Sequence, residues 1–262
     1  MKLPIYQVDA FADAVFGGNP AAVCPLERWL PEATMQSIAA ENNLAETAFF
    51  VTRDGDGSAY DLRWFTPAAE IDLCGHATLA SGHVVFTKLD PGRDVVTFHT
   101  RSGPLVVRRE GARLAMDFPS RPPARSEANP ALAQALGATP QEVWSSRDLM
   151  AVFPDEDQVR ALTPSFERIL ALGVHAVIVT APGRTVDFVS RFFAPLVGVP
   201  EDPVTGSAHC TLIPYWSARL GKKSLRARQI SPRGGDLECE DQGERVRIAG
   251  RAIQYLEGTI EV

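Results

Sequence analysis

The sequence predicts an α+β fold of two pseudo-symmetric lobes, each a β-rich shell around one buried helix. Three observations carry that expectation. Short runs of β-branched and aromatic residues, set apart by turn chemistry, fill most of both halves. A Pro-rich, aperiodic stretch, "PSRPPARSEANP" at 119–130, divides them. An internal echo then repeats one motif half a chain apart: Cys74-Gly75-His76-Ala77 opens a helix in the first half, and Thr205-Gly206-Ser207-Ala208 opens one in the second. The lobes are expected at 1–118, completed by a C-terminal strand at 252–262, and at 119–251.

In chain order, "IYQVDAF", "AAVCPL", "TAFFV" and "YDLRWFT" read as strands, with turns at "FGGNP" and "RDGDGS". Among them "PEATMQSIAAENN" reads as a helix with Pro31 in its first turn and Asn at its end. A second helix runs from about Cys74 to Lys88, followed by strands "DVVTFHT", "PLVVRRE" and "RLAMDFP". The second half has helical stretches near 130–136, 155–161 and 164–171, then strands "HAVIVTA" and "VDFVSRFFA". "VTGSAHCTLIPYWSARLG" is a helix that Gly221 terminates, and "SLRARQI", "ERVRIAG" and "AIQYLEGTIEV" close the chain as strands. Beyond the first turn both echoed helices are apolar nearly all round, which predicts burial rather than a solvent-facing stripe.

Bulk properties narrow the class. The 262 residues are 45% apolar and 22% charged, with net charge −6. That balance argues against a nucleic-acid partner, which needs a basic excess. No run of about 18 apolar residues marks a membrane span. Cys24, Cys74, Cys210 and Cys239 form no CxxC pair and read as reduced thiols. The N-terminus reads as a strand that begins at once, without a leader. The expectation is a cytoplasmic globular protein, an enzyme or a small-molecule binder.

The paired helix mouths suggest the chemistry. Helix N-termini expose unpaired N–H groups and the positive end of the macrodipole, so they attract anions. Gly75 and Gly206 leave the backbone open to a ligand, and an acidic residue, Asp72 or Asp202, stands on each approach. A small carboxylate is the expected ligand; close helix packing is the alternative use of the two glycines. His76 lies in the first turn, where the dipole is expected to lower its pKa and keep the imidazole neutral. Cys74 could be a thiol base, but Thr205 stands at the matching position, so packing is the better reading. Cys210 should point away from its helix mouth. Cys74-x-His76 has no partner at metal-ligand spacing, so no metal is expected. Glu46, at the start of a strand with Phe49 and Phe50, is either a surface residue or a buried acid/base with a raised pKa. Asp202 is either a helix cap or a turn residue.

"VDAFADAVFGGNPAAV", "NNLAETAFF", "LRWFTPAAEIDLCGHATLASG" and "EDPVTGSAHC", in this order, resemble the PhzF-like isomerase family of phenazine biosynthesis. The fold of that family is that of diaminopimelate epimerase. The resemblance covers essentially the whole chain. It implies two lobes, each a β-barrel-like sheet wrapped around a central helix, with the site between them. It also implies a homodimer without a cofactor that moves a proton between carbons of a small unsaturated carboxylate or amino acid. By resemblance Glu46 is the acid/base, and His76 and Asp202 hold and polarise the substrate. Gly75, Gly206 and Ser207 match the carboxylate-binding positions; Asn19 lines the same cleft, and Asp72 is carried as a binding residue. The epimerases carry a Cys at both mouths, and here only Cys74 matches. Two other readings stand beside this one: a two-base racemase using Cys74, and a non-catalytic carboxylate-binding protein.

Overall fold

A computed structural model describes residues 1–53, 58–127 and 129–262. The turn read at "RDGDGS" falls largely on 54–57, outside the described residues. The chain divides into two compact units, 1–117 with 249–262, and 118–248.

The first unit is one sheet closed around one helix. Its strands are β1 (Lys2–Ala10), β2 (Asn19–Leu26), β3 (Glu46–Thr52), β4 (Ala59–Phe65), β5 (Glu70–Ile71), β6 (Val95–Thr100), β7 (Gly103–Glu110) and β8 (Arg113–Pro119). The C-terminal strand Ala252–Glu261 pairs antiparallel with β1, which pairs antiparallel with β2. β2 runs parallel to β3, and β4 lies antiparallel to β3. β4 continues parallel to β6 and takes the short β5 on the side, after which β6, β7 and β8 form a meander. Helix α1 (Glu32–Asn42) follows Pro31, whose ring presets the backbone for a helix start, and ends on Asn43 in the left-handed region.

Helix α2 (Gly75–Val84) touches β1, β2, β3, β7 and the C-terminal strand, so the sheet curls around it. Every α2 residue except Gly75 and His83 is buried, as its all-round apolar character requires. Gly82 makes the close approach possible: a Cβ there would stand 2.8 Å from Val107 Cγ1. The helical path does not stay regular to Lys88 as expected from the sequence. It passes into a π-helical turn at Val85–Leu89, where the Asp90 N–H reaches back to the Val85 carbonyl at 2.8 Å.

The second unit holds β9 (Ala124–Ser126), α3 (Pro130–Leu136), β10 (Glu142–Ser145), β11 (Leu149–Val152), α4 (Glu156–Ala161), α5 (Phe166–Ala171), β12 (Val177–Pro182), β13 (Phe188–Ala194), β14 (Val199–Asp202), α6 (Gly206–Leu220), β15 (Ser224–Gln229), β16 (Gly235–Asp241) and β17 (Arg245–Gly250). β9 to β13 pair in sequence order, parallel only at β11–β12. β13 then takes β14 and, in parallel, β15, which pairs with β16. Helix α6 packs on β15 and β16. Trp216 of α6 stacks on Phe188 of β13, with ring centroids 5.7 Å apart and planes 4° from parallel. Its indole N–H donates to Thr180 Oγ1 at 2.9 Å.

Pro214 sits inside α6 and cannot donate to the Cys210 carbonyl one turn back. The Arg121 N–H takes that place at 2.9 Å. The Pro-rich stretch read as a plain boundary therefore works structurally: Arg121 completes a helix, and β9 adds a strand to the sheet. Among the described residues, no helix is long and apolar enough to cross a membrane.

Candidate active site

The motif "VDAFADAVFGGNP" becomes a tight loop that delivers Asn19. Asp9, buried on β1, accepts the Phe16 N–H at 2.9 Å and closes the loop. Gly18 has φ +61°, and a Cβ there would lie 2.2 Å from the Ala10 carbonyl oxygen, so no other residue fits. Asn19 then opens β2, fully buried. The parallel pairing of β2 and β3 sets Ala21 opposite Glu46, bringing the start of each strand to the same end of the sheet.

The approach to α2 is pinned independently. Arg63 on β4 grips Glu70 with two bonds, Nε to Oε1 at 2.7 Å and Nη2 to Oε2 at 2.6 Å. That pairing holds the Glu70 carboxyl below the usual carboxylate range.

These supports converge on one cluster. His76 Nε2 lies 3.0 Å from Glu46 Oε2. On the other side of the ring, Nδ1 lies 3.2 Å from Asn19 Nδ2 and 3.5 Å from Cys74 Sγ. His76 is 5% exposed, and the Glu46 side chain only 12%. The Nε2–Oε2 approach is close but poorly aligned, and neither atom has a hydrogen-bond partner. The expectation of a lowered His76 pKa is corrected here. Burial does disfavour the imidazolium, but the contacts with Cys74 and with the Glu46 carboxylate outweigh it and raise His76 well above its ordinary value. Cys74 is buried as a packing residue would be, with its sulfur against the imidazole. Burial, helped by the Glu46 carboxylate, pushes that thiol up to about 11. Phe49 and Phe50 are fully buried further along β3.

Asp72 does not join the cluster. It is exposed on the bend before α2, where its backbone carbonyl accepts the Ser102 hydroxyl at 2.8 Å. Gly75 is half-buried as the first residue of α2.

In the second unit, the mouth of α6 is built from Asp202, Thr205 and a residue the sequence reading missed, Gln229. Asp202 does not cap the helix; it accepts the Thr205 hydroxyl. Fully buried Gln229 spans the loop: its Oε1 accepts the Thr205 N–H at 2.9 Å, and its Nε2 donates to the Asp202 carbonyl at 2.7 Å. A signal for it was present, because "SLRARQ" alternates and places Gln229 inward beside Leu225 and Ala227. Gly206 is buried and Ser207 half-buried at the start of α6. Cys210 is buried one turn further, with Sγ on the Gly206 carbonyl, as its spacing suggested.

α3, α4 and α5 are each capped by a side chain, from Asn129, Asp155 and Ser165. The two echoed helices, α2 and α6, have no side-chain cap, and neither does α1. Their first-turn N–H groups lack that acceptor, which is the condition for holding an anion.

His209 gives this unit a pH dependence. Its Nδ1 lies 2.8 Å from the Thr205 carbonyl, while burial pushes it down to about 4, against 6.5 for an ordinary histidine. The unfolded chain therefore binds a proton that the folded chain refuses between those values, and stability falls as the pH drops through that window. The expected loss at full protonation is about 3 kcal/mol. Urea unfolding at pH 7 and pH 4 measures it, and His209→Gln should flatten the slope; an unchanged slope would remove His209 as its source.

Comparison with known proteins places this geometry in a lineage. The family model described as "Phenazine biosynthesis-like protein" matches residues 8–258. An "Uncharacterized isomerase" of Pseudomonas aeruginosa is 55% identical over 262 residues, covering 100% of both chains. The crystal structure of a PhzF-family phenazine biosynthesis protein from Enterococcus faecalis superposes with a TM-score of 0.97 at 50% identity, covering 100% of both chains. A hydroxyproline epimerase from Agrobacterium vitis shares the fold alone, with a TM-score of 0.63 at 12% identity over 99% of this chain and 92% of its own. The chain belongs to the phenazine biosynthesis-like, or PhzF, family.

Proposed function

We propose that the chain is a cofactor-independent isomerase that moves a proton between carbons of a small unsaturated carboxylate or amino acid. The observation that carries this reading is Glu46: a largely buried carboxylate, 3.0 Å from a buried imidazole at the mouth of an uncapped helix. Glu46 takes a proton from a carbon allylic or α to the substrate carboxylate. Protonated Glu46 then returns it to a different carbon, so a single group serves both steps. His76, raised in pKa by its neighbours, balances the charge on Glu46 and polarises the substrate. Backbone N–H groups at Gly75, Gly206 and Ser207 take the substrate carboxylate and the enolate-like charge. Asp202, held by Thr205, orients the substrate, and Asp72 stays an outer binding candidate. Asn19, whose amide nitrogen lies 3.2 Å from His76 Nδ1, lines the same substrate cleft. The reading includes a cytoplasmic homodimer, as the family resemblance implies.

The second reading is a two-base racemase using Cys74. Its favouring observation is Cys74 Sγ at 3.5 Å from His76 Nδ1, and the raised thiol pKa stands against it. Incubating unsaturated amino acids and carboxylates in D2O with the wild type and Cys74→Ala separates the readings. The isomerase takes up deuterium at carbon in both forms, with mild loss in the variant. Uptake abolished in Cys74→Ala would establish the racemase, and binding without uptake would leave a carboxylate-binding protein.

A further inference from the structure

The fold supplies what the spacing Cys74-x-His76 lacked. Glu46 brings a carboxylate to the thiol and imidazole, and one donor atom from each of the three residues lies within 4.8 Å of the others. We infer that Glu46, Cys74 and His76 form a binding site for a thiophilic divalent cation of the Zn2+ class, whose occupancy silences the proton chemistry proposed for Glu46.

Three features support the site. Sulfur, imidazole and carboxylate is a donor set that zinc accepts, and three protein donors leave a fourth position open. Tetrahedral bonds of about 2.0–2.3 Å separate donor atoms by roughly 3.3–3.8 Å, so closing this cluster on a cation takes shifts of about an ångström and a turn of the His76 ring, whose two nitrogens now face the carboxylate and the thiol separately. His76 Nε2 and Glu46 Oε2 are buried without hydrogen-bond partners, and a cation would satisfy both. The donors come from rigid elements, the first residue of β3 and the mouth of α2. On binding, the Cys74 proton leaves to solvent and the sulfur bonds the cation as thiolate.

The inference rests on the residues assigned to proton transfer, but its test needs no substrate. The purified, EDTA-treated full chain is titrated with Zn2+ against a chromophoric chelator, and with Co2+ by absorption spectroscopy. One equivalent should bind, with a thiolate-to-cobalt charge-transfer band. Cys74→Ser, which changes a single atom, should lose the band. Glu46→Gln should also weaken binding; circular dichroism confirms that each variant folds. Absence of stoichiometric binding to the wild type, or a band that survives Cys74→Ser, overturns the site. Where deuterium uptake is found, Zn2+ should suppress it and EDTA restore it; uptake unaffected by bound Zn2+ overturns the silencing. A chain that binds the cation and shows no uptake with any substrate would sink the isomerase reading and leave the site standing.

Discussion

Glu46→Gln should lower kcat/KM for carbon proton transfer by about 10²–10⁴-fold while leaving the fold intact. The substitution keeps the size and planarity of the side chain, so the largely buried position at the start of β3 stays filled. What it removes is the ability to accept a proton. The amide still reaches His76, which loses the carboxylate 3.0 Å from its Nε2 and with it one cause of its raised pKa. The loss should therefore fall mainly on kcat, and any remaining rate should show a shifted pH profile. Solvent-deuterium uptake followed by NMR, with a urea midpoint unchanged, is the measurement. Uptake at the wild-type rate would move the acid/base to another residue.

Trp216→Ala should cost about 3–5 kcal/mol in the stability of the second unit. The indole is 1% exposed, lies flat against Phe188 and meets Tyr215 edge-on. Truncation opens a cavity and takes a donor from fully buried Thr180. Trp216→Phe keeps a ring against Phe188 and loses the hydrogen bond with only part of the packing volume, so its cost should be smaller, about 1–3 kcal/mol. Urea unfolding curves for both variants give the comparison. A loss below about 1 kcal/mol for the alanine variant would show that α6 is not anchored through this ring.

Much of the fold was legible because burial writes itself into pattern. α2 and α6 announce themselves as all-round apolar helices, and β3 as an unbroken apolar run. The strands that escaped were short or poorly patterned. β10, β11 and β14 have four residues each, and acidic β16 buries only Leu237 and Cys239; such segments are strands because their neighbours are. The site divides the same way. Glu46 and the glycines of the helix mouths stood in visible motifs. The meeting of Glu46 with His76, Asn19 and Cys74 depends on β2 lying parallel to β3, a long-range pairing that no local pattern encodes. The His76 titration was misjudged for that reason, since a dipole can be read from a helix start and a carboxylate from another strand cannot.

The pairing of β1 with the C-terminal strand bears on how the chain is made. Lys2 lies opposite Glu261, so β1, made early, waits for a strand made much later. The unit at 118–248 is continuous and can close while the chain is still emerging, whereas the unit that carries Glu46 and His76 lacks a strand until residues 252–261 have been made. The usual N-terminal-first order of folding is thus inverted. Until that strand arrives, β1 presents an open edge to the ribosome's surroundings.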